Sequence, residues 1–175
     1  MVIDYNAAQL LKHPTGAARE FAIDQDIRGL EPSLDLAGRL RAQVKVVRTK
    51  SGALIALTGA VSLRVPCSRC LEPVVVPVSL QFEEEFVQTV DVVTGRSLGA
   101  RRDDPALLID GRHDLHLADI IREYLLTQQP MQTLCRPDCR GLCPHCGRNL
   151  DLGPCGCGGE VADERWASLQ ALLKD

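Results

Sequence analysis

Six of the eight cysteines lie between Cys135 and Cys157, in CRPDCRGLCPHCGRNLDLGPCGC, and this clustering constrains the chain more than any other feature. At its centre, Cys143-Pro144-His145-Cys146-Gly147 is a C-x2-C pair with Pro inside it and Gly after it. That is the composition of a tight turn whose backbone N–H groups face thiolate sulfurs, with the Gly free to take positive φ. Cys135 and Cys139 precede the pair at C-x3-C spacing, and Cys155 and Cys157 follow at C-x-C. The remaining two cysteines stand far upstream in Cys67-Ser68-Arg69-Cys70, another C-x2-C. A structural Zn²⁺ takes four ligands in a tetrahedron, with sulfur at about 2.3 Å, so eight thiols suffice for two sites. The expectation is structural zinc, one or two ions, held by Cys143 and Cys146 with partners from Cys135, Cys139, Cys155 and Cys157. Cys67 and Cys70 join across space. Spacing alone leaves the pairing open.

Other uses of these thiols fit less well. Catalytic zinc keeps an open position and takes His or carboxylate ligands beside a general base. Here the candidate ligands are all thiolates, and none of His13, His113, His116 and His145 stands at a spacing that suggests a second ligand set. His145 reads as an exposed turn residue. Iron–sulfur ligation is an alternative, but turns with Pro and Gly are typical of zinc ribbons. A redox C-x2-C belongs at a helix N-terminus after a strand, where the thiol pKa is lowered, whereas Cys67-Ser68-Arg69-Cys70 falls between two alternating runs.

The chain has 175 residues, enough to bury a core, and no repeat is visible. Its start, Met1-Val2-Ile3-Asp4-Tyr5-Asn6, lacks a basic and then apolar leader, and no apolar run approaches the roughly 18 residues of a membrane helix. A cytoplasmic, soluble protein without membrane contact is therefore expected. In a reducing cytosol, closely paired cysteines hold metal rather than disulfides. A net charge of −3 excludes a uniformly basic nucleic-acid binder, though not a local phosphate-binding patch. Trp166, Tyr5, Tyr124, Phe21, Phe82 and Phe86 are the whole aromatic complement, too few for a stacking platform.

Between the first residues and the cysteines, period-two patterning dominates. Tyr5 to Lys12 reads as a short helix ended by His13-Pro14-Thr15-Gly16, and Glu20 to Ile23 as an edge strand with Phe21 and Ile23 inward. From Leu34, Leu36, Leu40, Ala42, Val44 and Val46 share one face, and Asp35, Arg39, Arg41, Gln43 and Lys45 the other. Lys50-Ser51-Gly52 makes a hairpin turn, and Ile55, Leu57, Val61, Leu63 and Val65 alternate on the return. Cys67 and Cys70 then occupy a turn into a third strand carrying Val74, Val76, Val78, Leu80 and Phe82. Pro73 and Pro77 favour an edge position for it. Glu83-Glu84-Glu85 reads as a bulge or strand end.

Residues 88–106 are polar and aperiodic and read as a mobile surface loop. Leu107 to Asp110 suits a short strand. Leu117, Ile120, Ile121, Tyr124 and Leu125 then make a helical stripe over about 117–128, with Asp114 as N-cap and Pro130 as its end. A final helix over about 163–174 carries Trp166, Leu169 and Leu173. The expected fold is α+β. An antiparallel meander or partly open barrel over about 20–86 and a packed helix form a domain at 1–130, followed by a cysteine-rich zinc-binding segment at 131–175.

No set of acid, base and nucleophile converges in the patterning, so no enzyme and no small-molecule substrate are expected. Three adjacent glutamates on a strand point to alternate faces and do not form a cation site. The basic residues suggest a phosphate footprint in two places. One is the strand face with Arg39, Arg41, Lys45 and Arg64, crowned by Arg48 and Lys50; the other is the metal segment with Arg136, Arg140 and Arg148. A sheet face solvated by charges is the plainer alternative. Arg101-Arg102 is cancelled by Asp103-Asp104.

Taken in order, LLKHPTGAAREF, the paired strands leading into VPCSRCLEPVVVPV, FEEEF, LHLADIIREYLLTQQPM, the cysteine string and DERWASLQALL resemble the YceD family across nearly the whole chain. The resemblance implies a bacterial cytoplasmic ribosome-biogenesis protein that promotes accumulation or maturation of large-subunit ribosomal RNA by binding the RNA or a pre-ribosomal particle. The alternative is a zinc-stabilised module docking on a ribosomal protein or another assembly factor without RNA contact. No catalytic residues come with the resemblance, and members differ in cysteine content, so the metal is not tied to the family's function.

Overall fold

The alternating segments build one open five-stranded sheet, and the helical stripe packs across a single face of it. The computed structural model describes residues 3–99 and 104–157. The expected helix at 163–174 and the Arg101-Arg102-Asp103 run lie outside the described residues.

The sheet holds β2 (Ala18–Asp26), β3 (Arg39–Arg48), β4 (Gly52–Pro66), β5 (Pro73–Gln88) and β6 (Leu108–Ile109), in that order. β2 to β5 are antiparallel neighbours, and only β6 runs parallel, beside Val87 and Gln88. The sheet does not close into a barrel. β1 (Asp4–Asn6) pairs with β7 (Asp114–His116) in a separate two-stranded ribbon. Among the described residues the α-helices are α1 (Ala8–Leu11) and α2 (Leu117–Thr127).

Burial follows the alternation. Leu40, Ala42, Val44 and Val46 of β3, Ile55, Leu57, Val61 and Leu63 of β4, and Val78, Leu80 and Phe82 of β5 are buried on one face. Against them lie Leu117, Ile120, Ile121 and Leu125 of α2 and Leu10 and Leu11 of α1. Each such side chain contributes about 1.5–3 kcal/mol when fully removed from water, so this single-sided core is the main source of stability. Two glycines permit the close strand approach. A Cβ on Gly52 would stand 1.9 Å from the Phe86 carbonyl oxygen, and one on Gly59 would stand 2.5 Å from Ala42 Cβ.

Several expectations are corrected. Glu83-Glu84-Glu85 neither ends nor bulges β5, because the register with β4 is continuous from Gly52↔Val87 to Pro66↔Pro73. Glu84 follows Phe82 onto the inner face, where it is tolerated because the Tyr124 hydroxyl donates to Oε1 at 2.9 Å and the Tyr124 ring stacks on Phe82. Asp114 does not cap α2. It lies in β7, and His116 holds the N-cap position without a side-chain hydrogen bond. The N-terminal helix is only four residues, preceded by β1, because Tyr5 pairs with Leu115 instead of joining a helical turn. Within residues 88–99, Asp91 organises a turn, accepting from the N–H groups of Val93 and Thr94 and from the Thr94 hydroxyl. The edge reading holds for β2 and, for β5, only up to its last two residues, where β6 takes the edge. β2 borders the sheet, and β5 is paired on its far side only at its last two residues, which leaves Pro77 unburdened by a ladder bond.

Candidate metal centres

β4 delivers Pro66 to the edge of the core, and the next six residues turn sharply into β5. Within that turn Cys67 donates its N–H to the Glu72 carbonyl at 2.8 Å, and Leu71 donates back to the Cys67 carbonyl at 3.0 Å. The segment after α2 docks against it. Ser68 donates its N–H to the Thr133 carbonyl at 2.7 Å, and Thr133 returns an N–H to the Ser68 hydroxyl at 3.2 Å. Cys135 and Cys139 are thereby carried to Cys67 and Cys70. The Arg69 guanidinium, donating to the Cys139 carbonyl at 2.8 Å, closes the joint.

A second turn follows at once. Leu142 bridges Asn149, Cys143 donates to the Arg148 carbonyl at 2.8 Å, and Gly147, at φ 70°, donates to the Cys143 carbonyl at 2.9 Å. This is the turn the sequence predicts, and His145 is exposed in it. The chain then swings through Leu150–Leu152 and brings Cys155 and Cys157 to Cys143 and Cys146.

The eight cysteines thus resolve into two quartets, Cys67/Cys70/Cys135/Cys139 and Cys143/Cys146/Cys155/Cys157, with the Sγ atoms of each within 4.8 Å of one another. Cys67 and Cys139 are separated by 3.8 Å at sulfur, and Cys70 and Cys135 by 3.6 Å. Four sulfurs about 2.3 Å from one central ion define a tetrahedron with an edge of about 3.8 Å, so the donor set fits a single tetrathiolate-bound ion. A disulfide requires about 2.05 Å, and all eight cysteines are free. Thiolates on separate irons of a cluster would have to stand further apart. Tetrahedral sulfur sites select zinc or iron among the common metals.

Backbone donors prepare the thiolates. The Cys67 thiol is lowered to about 6, chiefly by the Cys70 N–H and further by those of Arg69 and Cys135. The N–H groups of Cys146 and then His145 lower Cys143 to about 6 in the same way. Burial pushes Cys139 and Cys135 up, and Cys157 is pushed up to about 12, first by its hydrogen bond with Cys146. One thiolate per quartet is favoured by its turn, and full ionisation of four sulfurs this close requires a cation among them.

Asp151 escapes a reading by spacing. Its side chain is only 7% exposed, is paired with the Arg136 guanidinium, and accepts the Arg140 N–H at 3.0 Å. It ties the 3₁₀ turn between the second quartet's pairs to the segment that ends the first quartet. No pattern in the sequence distinguishes it from an ordinary loop aspartate.

The expected basic residues fall into two groups. On the sheet face, Arg39 pairs with Asp24, Arg41 lies 3.8 Å from Asp24, Lys45 3.8 Å from Glu20, and Arg64 3.1 Å from Asp35. In the metal segment Arg136 is shared between Asp151 and Asp138, and Arg140 and Arg148 are exposed. The structure does not bring the two groups together. The strand face runs along β3 and β4, whereas the metal segment lies beyond the end of β4.

An open α+β sheet with two four-cysteine centres at one end is the class of protein that fold and site define. The chain belongs to the YceD family: the family described as "Large ribosomal RNA subunit accumulation protein YceD" matches residues 56–173, from within β4 to beyond the second quartet. Proteins of Mycobacterium bovis and of two strains of Mycobacterium tuberculosis, each titled uncharacterized, are 32% identical over 141 residues. The match covers 81% of this chain and 65% of theirs, so the chain spans 65% of the length of these curated relatives. No solved structure matches. Among the described residues no helix is long and apolar enough to cross a membrane.

Proposed function

We propose that this protein is a non-enzymatic, cytoplasmic ribosome-biogenesis factor that promotes accumulation of large-subunit ribosomal RNA by binding that RNA within a pre-ribosomal particle. The observation that carries the reading is the family match over 56–173, whose description names large ribosomal RNA subunit accumulation and whose span contains both quartets. Two Zn²⁺ ions, one per quartet, hold the C-terminal segment on the sheet and act structurally. This agrees with thiol-only ligand sets, which leave no position for a substrate or water.

A second reading, docking on a ribosomal protein or assembly factor without RNA contact, is favoured by one observation: Arg39, Arg41, Lys45 and Arg64 on the sheet face each have a carboxylate within 4.0 Å. The two separate by experiment. Removing the protein from its cells is expected to lower large-subunit relative to small-subunit ribosomal RNA, and an unchanged ratio overturns both readings. Zinc-loaded protein is then expected to bind protein-free large-subunit ribosomal RNA, with affinity falling steeply as salt rises. Binding to particles but not to naked RNA moves the function to the second reading.

A further inference from the structure

The two ends of the five-stranded sheet carry different groups. β4 runs from Gly52 to Pro66 and β5 returns from Pro73 to Gln88, so both quartets stand at one end and the β3–β4 hairpin at the other. At about 3.3 Å per residue, β4 separates the two ends by roughly 45 Å. A Zn²⁺ with four thiolates carries a formal −2, so two loaded quartets would add four negative charges at the cysteine end, where they would offset Arg69, Arg136, Arg140 and Arg148. The Debye length is about 8 Å at physiological salt, so that charge is screened at the hairpin end.

At the hairpin end three segments remote in sequence meet. Gly16 donates its N–H to the Arg48 carbonyl at 2.8 Å, and Arg48 donates to the Ala17 carbonyl at 2.8 Å. Gln88 donates to the Ser51 carbonyl at 3.0 Å, and Asp91, three residues on, donates to that of Arg96 at 2.9 Å. These hydrogen bonds gather Lys12, Arg19, Lys50 and Arg96, all exposed. Among the described residues none of the four has a carboxylate oxygen within 4.0 Å of its cationic nitrogen. The nearby carboxylates are committed elsewhere. Asp91 closes its own turn, and Glu85 accepts the hydroxyls of Thr49 at 2.7 Å and Ser51 at 2.5 Å. Arg48 adds a further cation, fixed by the carbonyls of Thr49 and Gly52.

We infer that this end of the sheet is the phosphate-binding surface, and that Lys12, Arg19, Lys50 and Arg96 bind the backbone of large-subunit ribosomal RNA. The inference rests on the RNA-binding reading above. Cations without carboxylate partners release bound counterions from RNA at full effect, whereas Arg39, Arg41 and Lys45 must first exchange Asp24 and Glu20 for phosphate. Phosphate binding of this kind sets affinity and register, not base preference.

The test uses the whole zinc-loaded chain and a fluorescent transcript of large-subunit ribosomal RNA, with affinity measured across a series of KCl concentrations. Replacing Lys12, Arg19, Lys50 and Arg96 together by Gln is expected to make the log–log salt slope shallower by about 0.7 for each phosphate no longer neutralised, roughly 3 in all for single-stranded segments. Arg39→Gln with Arg41→Gln and Lys45→Gln is expected to keep the parent slope. If the fourfold variant does not keep the parent's circular dichroism, the pairs Lys12→Gln/Lys50→Gln and Arg19→Gln/Arg96→Gln carry the test, each with about half the change. A parent that binds RNA while the hairpin-end variants keep its slope and affinity overturns this surface and leaves the RNA reading standing. A parent that binds no naked RNA overturns both.

Discussion

Cys67 and Cys139 lie 72 residues apart in the chain and 3.8 Å apart at sulfur. The first belongs to a turn between two strands and the second to the segment after α2, so any ion bound between them cross-links the sheet to the C-terminal segment. The second quartet, by contrast, is closed within fifteen residues of one segment, from Cys143 to Cys157.

Two independent metal losses follow. Elemental analysis of the purified protein is expected to show close to two zinc ions per chain. Cys139→Ser and Cys146→Ser should each remove one, and the double variant both. Cys139→Ser should also cause the larger fall in melting temperature, because it releases a long-range cross-link and not a local turn. Pairing is checked by the double variant Cys67→Ser/Cys139→Ser, which should lose no more metal than either single change; loss of both ions there would show that the quartets are drawn wrongly.

Asp151 should couple the two centres. Replacing it by Asn leaves the Arg136 guanidinium without its buried partner and weakens the acceptor for the Arg140 N–H. The expected outcome is faster release of zinc to a chelator from both quartets in Asp151→Asn, whereas Asp138→Asn, which touches Arg136 from an exposed position at 3.6 Å, should leave release unchanged. A biphasic profile in which only the second quartet responds would rule out the coupling.

The two C-x2-C turns share a left-handed position. Gly147 follows Cys146 at φ 70°, and Leu71 follows Cys70 at φ 62°. A left-handed conformation costs a residue with a Cβ about 1–2 kcal/mol, and Leu71 is largely exposed, so it recovers little by burial. Leu71→Gly should therefore be neutral or stabilise by up to about 1 kcal/mol, while Gly147→Leu destabilises the second turn. Urea unfolding of the zinc-loaded variants checks both signs.

His116 supplies a pH dependence. Its Nδ1 lies 2.9 Å from the Asp4 carboxylate, which raises its pKa above the ordinary 6.5, and Asp110 at 3.6 Å acts in the same direction. Because the folded state favours the charged ring, this contribution is complete below the ordinary value and is lost as pH rises through the raised one. The β1–β7 ribbon should loosen at mildly alkaline pH. Amide exchange at Tyr5 and Leu115 should accelerate with pH beyond the intrinsic base-catalysed rate in the parent, and His116→Asn should remove the excess. The ring is nearly half exposed, so the effect is small and local.

Legibility in the sequence tracked locality. Period-two runs such as Leu40 to Val46 and Ile55 to Leu63 name both the strand and its buried face, because adjacent side chains on a strand must point oppositely. The same rule places Glu84 inward beside Phe82 and Phe86, and reading the three glutamates as a strand end weighs charge above parity. The donor that permits Glu84 there, Tyr124, lies 40 residues away on a helix, and nothing local announces it.

The sequence by itself determined that this chain folds as a strand hairpin extended by a third strand, that a helix covers one face, and that its cysteines sit in paired turns able to hold a metal. Each of these follows from residues within a few positions of one another, where backbone geometry leaves few choices. Only the tertiary structure decided which thiols are brought together into quartets, that the strand-face cations face carboxylates of β2 and of the loop before β3, and that Lys12, Arg19, Lys50 and Arg96 share one end of the sheet. Those are relations between segments, set by strand register and by the way the chain after α2 returns to the β4–β5 turn. Spacing along the chain carries no information about distances that packing creates.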